Sequence, residues 1–98
     1  MTDIDILLSN TDTAMAVEVK RKLDSKEEVK DHLKRMELIR KHPPAEVAGK
    51  KLLGAMAGGV VDFDVRCYAY ESGFFVLELT GEMVELLPPP EGFVPKQW

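Results

Sequence analysis

The sequence predicts a mixed α/β (α+β) domain: a mixed β-sheet, one main helix packed on it, a short second helix and a C-terminal hairpin. Three observations carry that expectation. Residues 3–20 hold two stretches in which apolar residues alternate with others, the period of half-buried strands. Residues 25–42 carry apolar residues every three to four positions between a capping signal and a Pro-Pro stop. Residues 51–57 and 74–79 are compact apolar runs bounded by glycines, long enough for buried strands and too short for membrane spans.

The first pair of strands is Asp3-Ile4-Asp5-Ile6-Leu7-Leu8 and Met15-Ala16-Val17-Glu18-Val19-Lys20, separated by the turn formers Ser9-Asn10-Thr11-Asp12-Thr13. A turn centred on Thr11-Asp12 fixes the register. Leu8 then faces Met15, Ile6 faces Val17 and Ile4 faces Val19, which makes one wholly apolar face. On the other face Asp5 lies opposite Glu18, Asp3 opposite Lys20 and Leu7 opposite Ala16. A slip of one residue would mix the two faces, so the pattern itself argues for this register. Directly opposite residues sit about 5 Å apart at Cβ, and like charges there repel. Asp5 and Glu18 are therefore two carboxylates that a cation between them would stabilise. A divalent ion with oxygen ligands is the natural candidate.

Ser25 and Glu28 have capping-box spacing, Glu27 and Glu28 suit a helix start, and Val29, Leu33, Met36 and Ile39 form one stripe. Arg40-Lys41-His42 closes the helix before Pro43-Pro44. The expectation is that this stripe packs on the apolar hairpin face. Lys26, Lys30 and Lys34 flank it, facing either the site or plain solvent. His32 sits at the stripe's border and reads as a packing residue, not a ligand. Strand, helix and strand make a crossover unit, so the Lys51–Ala57 strand is expected parallel to the Glu18 strand. Gly58-Gly59 reads as a turn after it. Asp62 caps a short helix that Ser72-Gly73 stops, and Phe74–Leu79 with Met83–Leu87 forms a second hairpin across Thr80-Gly81-Glu82. Glu78, Glu82 and Glu85 read as outward residues of that hairpin. Pro88-Pro89-Pro90 opens an extended tail whose Phe93 and Trp98 either lid the core or bury in a partner.

Composition sets bounds. Ninety-eight residues make one domain. One cysteine, Cys67, offers no disulfide and no zinc set, and the N-terminus has no basic region followed by an apolar stretch, which together imply a cytoplasmic setting. The net charge of −4 hides a dipolar chain: residues 20–51 hold eleven Lys/Arg against six Asp/Glu, and the remainder two against eleven. That basic segment begins at the carboxylate pair and is either a nucleic-acid contact surface or a solvated helix.

Asp5 followed by Glu18-Val19-Lys20 resembles the PD-(D/E)XK nuclease superfamily. The order Asp3-Ile4-Asp5, Val17 to Lys20, Gly54-Ala55-Met56-Ala57-Gly58, Tyr68-Ala69, Gly73-Phe74-Phe75-Val76 and Phe93-Val94-Pro95-Lys96-Gln97-Trp98 is similar to a small prokaryotic group within it. The resemblance implies a restriction-endonuclease-like sheet and Mg²⁺- or Mn²⁺-dependent hydrolysis of DNA. Asp5, Glu18 and the Val19 carbonyl would be the metal ligands and Lys20 the catalytic lysine. Lys22, Lys26 and Lys30 are the candidates for nucleic-acid contact. It further implies that the helix and strand usually preceding the Asp are missing, which would leave Leu7 and Ala16 uncovered and favour a homodimer. Two other readings stand beside it: a silent domain of the same fold used in binding or assembly, and an unrelated module whose acidic pair is the wet face of an edge hairpin.

Overall fold

A computed structural model describes residues 5–98. Five strands and two helices alternate: β1 (Ile6–Ser9), β2 (Thr13–Leu23), α1 (Lys26–Lys41), β3 (Lys51–Val61), α2 (Phe63–Glu71), β4 (Phe75–Thr80) and β5 (Met83–Leu86). They form a mixed sheet in the order β1-β2-β3-β4-β5. β2, β3 and β4 are parallel, and an antiparallel strand closes each edge through a hairpin. The register of the first hairpin is the one the alternation predicts: Ile6 pairs with Val17, Leu7 with Ala16 and Leu8 with Met15. The expected Asp3–Lys20 and Ile4–Val19 pairs lie outside the described residues.

Asn10 explains the tightness of that hairpin turn. Its side-chain Oδ1 accepts from Asp12 N at 2.9 Å and Thr13 N at 2.8 Å, so backbone donors that the ladder leaves free are satisfied locally. Ser25 caps α1 by accepting from Glu27 N, and Asp62 caps α2 by accepting from Asp64 N. Both caps fall where the sequence places them.

The two crossovers run β2–α1–β3 and β3–α2–β4, stepping across the sheet in one direction. With a fixed crossover hand, two such steps put both helices on the same face. That face holds the main core. Ala14 and Ala16 of β2, Leu52 and Met56 of β3, and Phe74 and Val76 around β4 lie under Val29, Met36 and Ile39 of α1 and Val65 and Ala69 of α2. The tail returns over this core. Trp98 N donates to Leu52 O, and its ring stacks on Phe74 with centroids 5.1 Å apart. Gly73 permits the return: its φ is +91°, and a Cβ there would meet Lys96 Cβ at 2.4 Å. Of the two roles expected for Trp98, the tail takes that of a core lid.

Three expectations are overturned. The stripe of α1 does not pack on the face carrying Ile6, Leu8, Met15 and Val17; it packs on the face of Ala16 and Glu18. Apolar residues line both faces of β2, so alternation alone could not say which face the crossover would cover. For the same reason Leu7 and Ala16 are not left bare: Ala16 is fully buried and Leu7 packs against the main core. Gly58-Gly59 is not a turn, since β3 runs on to Val61 and Gly58 pairs with Lys20. A Cβ at Gly58 would sit 2.9 Å from Leu23 Cβ, so the glycine marks a close strand approach.

Candidate functional site

The hairpin register brings Asp5 and Glu18 together at the end of β1. Asp5 is exposed, and its Oδ2 accepts from Val19 N at 2.8 Å. One step beyond the Ile6–Val17 pair, the register sets Asp5 opposite Glu18. Val19 is therefore tied to Asp5 through its N–H, and its carbonyl leaves the strand on the same side. The carboxyl of Asp5 is held below its usual range, chiefly by the Val19 N–H. Glu18 is 6% exposed, and burial, then its contact with Asp5, pushes its carboxyl up against the pull of Arg35 and Lys20. Where the pair shares a proton, it resides on Glu18.

Two cations attend Glu18. Lys20 Nζ lies 3.8 Å from Oε1 with its side chain 41% exposed, so it reaches both the carboxylate and solvent. The guanidinium of Arg35, on α1, contacts Oε2 through Nη1. Arg35 was not evident as a site residue from the sequence, because α1 was expected on the opposite face. The available signal was its i,i+3 spacing from His32, which puts both on one flank of the helix.

His32 supports Arg35 from behind. It is fully buried and tilted against Phe74 with ring centroids 4.9 Å apart. Nε2 lies 3.1 Å from Ala16 O, an acceptor, so Nε2 carries the proton and donates. Nδ1 is then free to accept from Arg35 Nη1, at 3.4 Å. Burial pulls the imidazole down from 6.5 to about 4, so it is neutral at pH 7. The expectation that His32 is a packing residue agrees with this burial.

The remaining basic candidates are not gathered into the site. Lys22 is exposed near the end of β2, Lys26 lies over the Tyr68 ring at 5.7 Å, and Lys30 pairs with Glu27 at 3.3 Å. Among the described residues no group of three or more His, Cys, Asp or Glu side chains comes together. The donor set is two carboxylates with a neighbouring carbonyl. That set fits a hard divalent ion, which commonly takes one or two protein carboxylates and completes its shell with water and phosphate oxygens. A surface cleft of about 540 Å³ lies elsewhere, between α2 and the tail around Arg66, Tyr70 and Phe93, and none of the site residues lines it. Among the described residues no helix is long and apolar enough to cross a membrane.

A scan against protein-family models returns no match for this chain, and searches of curated proteins and of solved structures return none either.

Proposed function

We propose that the chain is a metal-dependent nuclease domain of PD-(D/E)XK type with restriction-endonuclease-like topology, and that DNA is its substrate. One observation carries the reading: the hairpin sets Asp5 against Glu18 while Lys20, two residues on, reaches the same carboxylate. The parallel β2–β3 pair behind an antiparallel hairpin supports it.

Asp5, Glu18 and the Val19 carbonyl would hold Mg²⁺ or Mn²⁺. Bound there, the ion would make water more acidic and neutralise charge growing on the phosphate. The rest falls to the chain. The Val19 N–H keeps Asp5 ionised and aimed. Arg35, backed by neutral His32, fixes the orientation of Glu18. Lys20, partly in solvent, offers an ammonium to the attacking water and the phosphate oxygens. The water oxygen bonds to phosphorus as one ester P–O bond breaks; the water's proton passes to solvent, and the departing oxygen keeps the electron pair and takes a proton from solvent. Plasmid DNA with Mn²⁺ tests this: nicking by the wild type, lost in Lys20→Ala and Asp5→Asn, is expected. Equal nicking by all three would refute it.

A second reading has its own observation. Arg35 and Lys20 already neutralise Glu18, and among the described residues no third acidic side chain joins the pair. A silent domain of the same fold would keep this ion pair as a structural clasp and bind neither metal nor phosphate at Asp5.

A further inference from the structure

The face of the sheet opposite the helices is apolar from edge to edge. Ile6 and Leu8 stand on β1, Met15, Val17 and Val19 on β2, Leu53, Ala55 and Ala57 on β3, Phe75, Leu77 and Leu79 on β4, and Val84 and Leu86 on β5. Lys51, at the start of β3 beside Thr13, is the charged residue that alternation puts at the end of this set, although nearly a third of the chain is charged. Val17, Ala55 and Ala57 form a second buried cluster there, to which neither helix contributes a residue. Of the tail, Phe93 reaches it, meeting Phe75 edge-on at one corner. At the two edges the apolar residues stand in solvent: Ile6 is 44% exposed, and Leu8, Val84 and Leu86 more than half.

Parallel sheets are found almost always with both faces covered, and their strands are correspondingly apolar on both. β2 and β3 have that composition, while the one-directional crossovers leave one face open. Its exposed edge residues Ile6, Leu8, Val84 and Leu86 are the large apolar surface that a covering partner would remove from water.

We propose that this face is covered by a second copy of the chain, in a two-fold dimer that packs sheet on sheet. A two-fold interface asks only that a surface complement itself. A sheet face whose one charge, Lys51, sits at the start of β3 does so with little like-charge contact, even in a chain of net charge −4. Two such faces pack about 10 Å apart with strands rotated by about 30°, which would close both bare faces at once. The polar side chains the register adds to this face, Thr13 and Lys51, pair with each other at one end of the sheet and leave its middle apolar. The helices and the acidic pair stay on the outside of such a dimer, so this inference stands independently of the proposed nuclease activity.

Sedimentation velocity on the full chain, from about 1 to 100 µM, tests it. The expected result is a species of twice the 11.0 kDa chain mass. Leu8→Lys and Leu86→Lys lie at opposite edges of the face and are both 56% exposed, so the fold tolerates either. Each should weaken association at least tenfold with an unchanged circular dichroism spectrum. Leu38→Lys, on α1 and 49% exposed, should leave it intact. A monomer throughout the range overturns the proposal and leaves the face to another partner. A dimer broken by Leu86→Lys but indifferent to Leu8→Lys also overturns it, since it would be joined edge to edge through β5.

Discussion

The two faces of the sheet carry similar apolar side chains and meet different fates. On one, Ala16, Leu52, Met56 and Val76 lie beneath two helices and a returning tail. On the other, Val17, Ala55 and Ala57 are shielded mainly by their own neighbours. The polar chemistry follows the covered face. Glu18 is buried there because α1 brings Arg35 to its carboxylate, and Arg35 is held because His32 stands behind it. A carboxylate on the bare face would have had water and no partner. A site that needs a low-dielectric setting for charge therefore arises where helix and strand meet.

The sharpest way to break this comparison is to truncate on each side. Met56→Ala, fully buried under the helices, should cost about 3 kcal/mol in urea unfolding. Val84→Ala, 63% exposed on the bare face, should cost under about 0.5 kcal/mol at concentrations where the chain is monomeric. Equal costs would mean that the bare face is packed after all.

Acid should find the covered face first. His32 has its pKa lowered from 6.5 to about 4 by burial, so the unfolded chain binds more protons between those values. The stability it contributes is complete above pH 6.5 and drains away as pH falls towards 4, by up to roughly 3 kcal/mol. His32→Gln should flatten the profile of unfolding free energy against pH in that window, and an unchanged slope would remove His32 from its assigned place. Arg35→Ala should cost about 2 kcal/mol, since it strands a buried carboxylate that Lys20 only partly compensates. Arg35→Ala as stable as the wild type would show that the clasp is dispensable. The smallest effect belongs to Lys30, whose exposed pair with Glu27 should be worth about 0.3 kcal/mol by double-mutant cycle.

Much of this was legible in the sequence. The register of the first hairpin followed from alternation, because a one-residue slip reverses every side chain. The caps at Ser25 and Asp62 and the parallel β2–β3 crossover followed from local chemistry and chain connectivity. What could not be read was which face α1 would choose. Ala16 and Leu7 give the Glu18 face apolar surface of its own, and Ile6, Val17 and Leu8 give the opposite face more. Counting apolar residues favoured the wrong one. The handedness of two successive crossovers decides the matter, and it acts on the whole sheet, beyond any single stretch of sequence. With the helix misplaced, Arg35 could not be seen as the partner of Glu18. Gly58-Gly59 was misread for a related reason: a glycine pair marks a turn or a close strand approach, and the difference lies in Leu23 on the neighbouring strand.

The claim at the centre is that Asp5 and Glu18 form a divalent-ion site. Calorimetric titration of Mn²⁺ into the full chain and into Asp5→Asn tests it most directly, because Asp5 is exposed and its replacement should spare the fold. One ion per chain, bound at least tenfold more weakly by the variant, is the predicted result. No binding to the wild type, or equal binding to both, would contradict the account and leave the acidic pair as the structural clasp of α1 on β2.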